Sequence, residues 1–220
     1  MLVTKKKEEE IVTPKIKIDN KELEVVKQYK YLGTVFNTKG KINEEIKNRL
    51  SQASKVYHQI NRTIISKKEI STVTKMQIYQ AVYLPTLTYG SETWARTEKI
   101  DSQISSAEMK YLRRSINKTK KDKVRNTKIR EETNRRPITE IMEEKQMKWY
   151  GHVKRMGIER IVRKSVEAKE WGKKTRGRPR TTWLDNVERY GTKKGKTLGE
   201  LNKITEDRKK WREFVEATRR

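Results

Sequence analysis

From Ile42 onward one spacing decides how the chain folds. Ile42, Ile46, Leu50, Ala53, Tyr57, Ile60 and Ile64 recur every three or four residues, which aligns them on one face of an α-helix. Lys, Glu and Arg fill the other face. A second helix is expected from about Lys68 to Leu84, with Val73, Met76, Ile78, Ala81 and Val82 inward. Pro85 should end or kink it, because proline lacks the amide proton and its ring clashes with the preceding turn. A third helix over about 98–116 carries Ile100, Ile104, Ala107, Tyr111, Leu112 and Ile116. Three helices with short connections predict a compact bundle. The phasing matters because apolar residues are scarce. They make up 32% of the chain against 38% charged, close to the composition of disordered proteins. Placed in phase, they argue instead for folded helices around a thin core.

Residues 14–36 read as strands. KIKI (15–18) alternates, Asp19-Asn20 makes a turn, LEVV (23–26) follows, and YKYLGTVF (29–36) is aromatic and β-branched. They predict a small antiparallel meander that must pack on something else to be stable. KTKKDKVRN (118–126) is a basic connection and a candidate domain boundary. Beyond it a short helix is expected around 124–132. Pro137 then opens a longer helix to about Met156, with Ile138, Ile141, Met142, Trp149, Val153 and Met156 on one face. Segment 172–181 reads as a loop, Trp183–Tyr190 as two helical turns, and Thr197 with Glu200 as a capping box. Thr205 is the expected cap of the last helix, with Trp211, Phe214 and Val215 inward. The fold class is therefore mainly α with a small N-terminal β meander. Three stretches follow: a hairpin-bearing 1–40, a helical bundle over 41–117 and a basic helical segment over 118–220.

The formal charge is +26. A chain this basic repels itself and attracts polyanions, which makes RNA and DNA the leading partners. The charge is uneven: residues 1–110 hold 20 Lys and Arg against 13 Asp and Glu, and residues 111–220 hold 35 against 16. The second half is the stronger candidate for phosphate contact. A membrane partner is not expected, since no run of eighteen apolar residues occurs. The start, MLVTKKKEEE, lacks the apolar segment of a secretory signal. There are no cysteines and two histidines, His58 and His152, so neither disulfides nor structural zinc is expected. Asp19, Asp101, Asp122, Asp185 and Asp207 are spread out and never paired, whereas two-metal chemistry needs clustered carboxylates. No glycine-rich phosphate loop or nucleophile turn is present. No catalytic residue, metal, cofactor or small-molecule substrate is therefore expected.

Two motifs point to nucleic acid. Lys173-Lys174-Thr175-Arg176-Gly177-Arg178-Pro179-Arg180 carries RGRPR. Arginines around Gly-Arg-Pro can lie in a narrow A·T-rich minor groove; the plainer reading is a solvated basic loop or an import signal. Trp149, Trp171, Trp183 and Trp211 all lie in the basic half, where indoles can stack on bases. Trp149 and Trp211 fall on apolar helical faces and are expected in the core, leaving Trp171 and Trp183 beside the basic loop. The candidate nucleic-acid-binding set is Lys173, Lys174, Arg176, Gly177, Arg178, Pro179, Arg180 and Trp183. YKYLGT (29–34) places aromatic residues before a glycine, which marks either a close approach by another chain or ligand or a plain hairpin with a bulge.

Five segments in order carry a family resemblance. They are YKYLGTVF, KMQIYQAVYLPTLTYGSETW (75–94), the stretch from KDKVRN (121–126) to MKWYGHVKRM (147–156), RGRPRTTWLDNV (176–187) and DRKKWREFV (207–215). Together they resemble the C-terminal part of the endonuclease–reverse transcriptase of non-LTR (LINE-type) retrotransposons. The resemblance implies a palm remnant with a primer-grip hairpin in which Tyr31, Leu32 and Gly33 lie near the primer end. It implies a helical thumb over 42–116 and a basic C-terminal segment that holds element RNA or target DNA. The parent activity would be RNA-directed DNA polymerase with magnesium. The family's aromatic-x-Asp-Asp turn is not in this sequence, and neither are the fingers, most of the palm or a cysteine–histidine knuckle. The expectation is a fragment that binds nucleic acid without extending a primer, in the nucleus or a cytoplasmic ribonucleoprotein, with the missing palm and fingers as partners. A host-adopted AT-hook regulator and a decayed copy without function are the alternatives.

Overall fold

The computed structural model describes residues 16–38, 40, 42–168, 177 and 179–217. The chain is mainly α-helical, preceded by strands. These pair as two separate hairpins, β1 (Lys17–Ile18) with β2 (Lys21–Glu22) and β3 (Gln28–Tyr31) with β4 (Thr34–Asn37), where one meander was expected. Asp19 and Asn20 turn the first at φ 48° and 61°. LEVV forms no strand; Leu23 and Val25 are exposed, so no apolar surface holds that run in a ladder. YKYLGTVF is itself a hairpin, with Tyr29 opposite Phe36 and Tyr31 opposite Thr34. Leu32 and Gly33 have φ 47° and 82°, the two positive values that a tight two-residue hairpin turn requires.

Helix α1 (Asn43–Ile60) continues into a π-helical turn, Asn61–Ile65. Ile46, Ala53 and Tyr57 are buried as the stripe predicts, but Ile65 is buried in place of Ile64. A π turn takes more residues per revolution than an α turn, so the inward face slips by one residue. The second helical run is longer than expected: α2 (Thr72–Ile78), a π turn (Tyr79–Tyr83) and α3 (Leu84–Thr88) follow without a break. Pro85 does not end it. The wide turn lies just before the proline, where an ordinary helix would have needed the missing amide. Only Met76 of the expected inward set is buried. Val73, Ala81 and Val82 are exposed, and Tyr79, Tyr83 and Leu87 take the core face. Large rings bury more apolar area than valines, so the face that carries them turns inward.

Helix α4 (Glu98–Ser115), capped by Thr97, buries Ile100, Ile104, Tyr111 and Leu112. Tyr57, Tyr79, Tyr83 and Tyr111 pack together, with ring centroids 4.8 to 6.5 Å apart. Three of the hydroxyls find partners: Tyr79 donates to Glu108 (3.2 Å), Tyr83 to the Ala107 carbonyl (2.8 Å) and Tyr111 to the Lys75 carbonyl (2.9 Å). Burial pushes the Tyr111 hydroxyl up to about 12, so these phenols stay neutral donors. This is how a chain poor in aliphatic residues fills a core: aromatic volume supplies the burial, and the hydroxyls of Tyr79, Tyr83 and Tyr111 are bonded.

Helix α5 (Asn126–Thr133) and the start of α6 (Ile138–Lys154) complete this first core through Ile129, Ile138 and Met142. Further along α6, Met147 and Tyr150 enter a second core with Val187, Tyr190, Leu201, Trp211 and Val215. Because α6 faces two cores in succession, its buried stripe runs through Met147 and Tyr150, and Trp149 is only half-buried. A short α7 (Ile161–Glu167) precedes α8 (Trp183–Lys193), α9 (Leu198–Glu206) and α10 (Arg208–Glu216). Trp211 and Val215 are buried as expected. Asp207 caps α10, accepting from the Lys209 and Lys210 amides. Thr205, expected in that role, bonds back to the Asn202 carbonyl at 2.6 Å, because it still belongs to the last turn of α9.

The Thr197–Glu200 capping box of α9 forms as predicted. The Thr197 amide, with the Lys196 ammonium and the Thr197 hydroxyl, holds the Glu200 carboxyl down at about 2. A depressed folded value stabilises above the ordinary value of 4.5 and loses that stabilisation as pH falls through about 2. Glu200→Gln should therefore lower the melting temperature at neutral pH and match the parent chain near pH 2. An equal difference at both pH values would refute the assignment.

Candidate nucleic-acid interface

The YKYLGT turn is clamped from behind. The Arg49 guanidinium donates to the Gly33 carbonyl, and the Tyr89 hydroxyl donates to the Leu32 carbonyl at 2.7 Å. Arg49 also sits over the Tyr89 ring at 4.6 Å and pairs with Glu45. Glu45 in turn accepts the Val35 amide at 2.7 Å, and Asn37 donates to Glu44 at 2.7 Å. Arg49 and Glu45 of α1 and Tyr89 after α3 thus fix the backbone of the hairpin. The side chains are left outside, Tyr31 58% and Leu32 74% exposed. Between the hairpin and residues 89–95 lies a cleft of about 550 Å³ with Tyr31, Phe36, Tyr89 and Trp94 in its walls. The buried Trp94 Nε1 donates to no acceptor. Glu45 and Glu92 also line this cleft, so it suits an aromatic or apolar group better than a phosphate.

In the basic loop, Lys173, Lys174, Arg176 and Arg178 lie outside the described residues, as does Trp171. Gly177, Pro179 and Arg180 are exposed. Gly177 has φ 114°, with nothing within 4 Å of a would-be Cβ. Just downstream the chain is anchored firmly. Thr182 and Asp185 form a capping box at the start of α8. Trp183 is half-buried: its indole N–H donates to the Glu92 carbonyl at 2.8 Å and its ring packs on Tyr150 at 5.9 Å. One turn on, Asn186 accepts the Arg96 amide at 2.6 Å and donates to the Arg96 carbonyl at 2.9 Å. Trp183 and Asn186, three residues apart on one helical face, read the backbone of residues 92–96. That spacing was visible in WLDN; its partner was not.

Sequence reasoning also missed Arg96. Its side chain is fully buried, donates to the Thr139 carbonyl at 3.1 Å, and lies 3.5 Å from Asp101 and 3.6 Å from Glu143. Arg189 reaches Asp101 at 3.6 Å and Lys193 reaches Glu143 at 2.7 Å. Burial raises the Asp101 carboxyl above its ordinary value, although Arg96 and Arg189 pull it down. These charges tie α4, α6 and α8 together around one buried guanidinium. Glu108, also buried, is bonded by Arg130 at 2.7 Å and by Tyr79. Among the described residues no three or more histidines, aspartates or glutamates stand together as metal ligands. Among the same residues no helix is long and apolar enough to cross a membrane.

No family model matches the chain, and no solved structure matches it either. It is similar to a protein of Caenorhabditis elegans described as uncharacterized and transposon-derived, at 26% identity over 200 residues, covering 86% of this chain and 70% of that protein. That likeness, over nearly the whole chain, supports a transposon origin.

Proposed function

We propose that the chain is the nucleic-acid-holding C-terminal part of a retrotransposon reverse transcriptase. It would grip template–primer, element RNA or target DNA by neutralising phosphates with Lys and Arg. The observation that carries this reading is the hairpin tip. Its backbone is held rigidly by Arg49 and Tyr89 while Tyr31 and Leu32 are presented outward. A hairpin serving only the core would turn those side chains in; one that holds a strand end has to present them. The formal charge of +26 supplies the affinity, and the ordered motifs and the transposon-derived relative agree with it. Exposed Ile16, Ile18, Leu23 and Val25 suit a strand region that packs on a further sheet, the palm in this reading. Polymerase chemistry, with its magnesium, belongs to that palm and fingers, and the chain alone makes no extension product.

The test compares Tyr31→Ala/Leu32→Ala with the parent chain on two probes, a template–primer with a recessed 3′ end and a blunt duplex of equal length. Affinity for the recessed end should fall several-fold, with the blunt duplex unchanged. Equal affinities on both probes would sink the grip assignment, as would magnesium-dependent extension by the purified chain.

A second reading, an AT-hook-type DNA binder, rests on the open, left-handed Gly177 beside the exposed Pro179 and Arg180. It requires preference for A·T-rich duplex over mixed duplex, single strand and structured RNA, lost on Arg178→Ala.

A further inference from the structure

Helices α6 and α10 cross with Gly151 beneath the Trp211 indole, which donates to the Met147 carbonyl at 3.1 Å. A side chain at residue 151 would collide with that ring, so glycine lets the helices meet here. Beside the crossing runs a cleft of about 560 Å³ floored by Trp211 and Val215. Both walls are basic. From α6 come Lys148, His152 and, at its C-cap, Arg155; from α10 come Arg208 and Arg212. The intervals 148–152–155 and 208–212 are helical, so each helix turns one stripe toward the same space.

The charges in this cleft are poorly balanced. Lys148 pairs with Glu144 at 2.7 Å, and Glu216 also lines the cleft. Arg155, Arg208 and Arg212 form no ion pair among the described residues. Arg155 is held in place by its bond to the Thr205 carbonyl at 2.8 Å. Desolvation and then the neighbouring Arg208 cation lower its affinity for its own proton. Guanidiniums gathered at a concave site repel one another, and a bound anion relieves that repulsion while accepting their forked N–H groups. A plain solvated basic face would have no reason to be concave or to fix one of its arginines.

We propose that the α6–α10 cleft is a phosphate-binding subsite that takes a backbone phosphate of bound nucleic acid, with Arg155, Arg208 and Arg212 as its donors. It rests on the nucleic-acid reading above and adds a specific place of contact, distant in sequence from both the hairpin tip and the RGRPR loop. Trp211 and Val215 build the floor and take no part in binding.

The experiment measures Kd for a labelled oligonucleotide as a function of salt. Arg208→Gln/Arg212→Gln is compared with the parent chain, with Arg208→Lys/Arg212→Lys and with Lys203→Ala/Lys209→Ala. All four of these arginines and lysines are exposed, so the folds should survive; equal melting temperatures check this. The glutamine pair should weaken binding about tenfold and shallow the salt slope by about 2. The lysine pair should restore most of the slope, and the control pair, outside the cleft, should change affinity less. Inorganic phosphate at matched ionic strength should displace the oligonucleotide no better than chloride. Unchanged slope in the glutamine pair, or an equal loss in the control pair, overturns the subsite. Preferential displacement by inorganic phosphate that persists in the glutamine pair would place the phosphate contact elsewhere and overturns the subsite. Absence of binding by the parent chain overturns the broader reading instead.

Discussion

Raising salt from about 50 to 200 mM should lower the affinity of this chain for duplex by about 10³–10⁵, for a footprint of roughly six to ten phosphates. The cause is counter-ion release: each neutralised phosphate frees condensed cations, and that entropy shrinks as bulk salt rises. The driving charge is the formal +26, carried mostly after residue 110. Single strands condense fewer counter-ions, so their slope should be shallower at the same number of contacts. Fluorescence anisotropy across a salt series measures both slopes. A flat response on every probe would defeat the phosphate argument outright, including the α6–α10 cleft.

Arg96→Met should cost about 3–5 kcal/mol of stability, the loss typical of breaking a buried ion pair from one side. The arginine is fully buried and 3.5–3.6 Å from two carboxylates. Asp101 keeps Arg189 and Glu143 keeps Lys193, which places the loss at the lower end. The sign of the pH dependence follows from Asp101. Burial raises its folded value above 3.8, so its ionisation costs stability. That cost is absent well below 3.8 and appears as pH rises through the folded value. Without Arg96 it grows, so the difference between variant and parent should narrow in acid. Urea denaturation at neutral and acid pH measures this. A neutral-pH loss under about 1 kcal/mol would show that the guanidinium is dispensable.

Much of the fold was legible because its signals are local. The stripes of α1, α4 and α10 and the Thr197–Glu200 cap depend on residues within a turn or two. The misreadings share a cause. Ile64 and Ile65 exchanged places, and Pro85 passed without ending its helix, because π turns at Asn61–Ile65 and Tyr79–Tyr83 shifted the period. No residue type marks such a turn in advance. Val73 and Val82 lost the core to Tyr79 and Tyr83 because burial is a competition settled by the whole bundle. At the candidate interface, YKYLGT was visible as a hairpin with a glycine. That Arg49 and Tyr89 would hold its carbonyls, from 16 and 57 residues away, was not.

Sequence alone determined the helical class, the strand-bearing start, the absence of thiolate chemistry and the excess of positive charge. Each follows from composition or from spacings shorter than a helical turn or two. Tertiary structure alone decided what the motif residues do. Trp183 was a candidate nucleic-acid contact beside the basic loop, and its indole bonds the Glu92 carbonyl 91 residues away, while Asn186, a turn on, bonds the backbone of Arg96. MKWYGHVKRM and DRKKWREFV read as parts of two helices far apart in sequence, and their crossing at Gly151 and Trp211 makes one cationic cleft. The physical reason is that propensity and charge belong to residues, whereas burial, repulsion and hydrogen-bond satisfaction belong to the pairs that packing brings together.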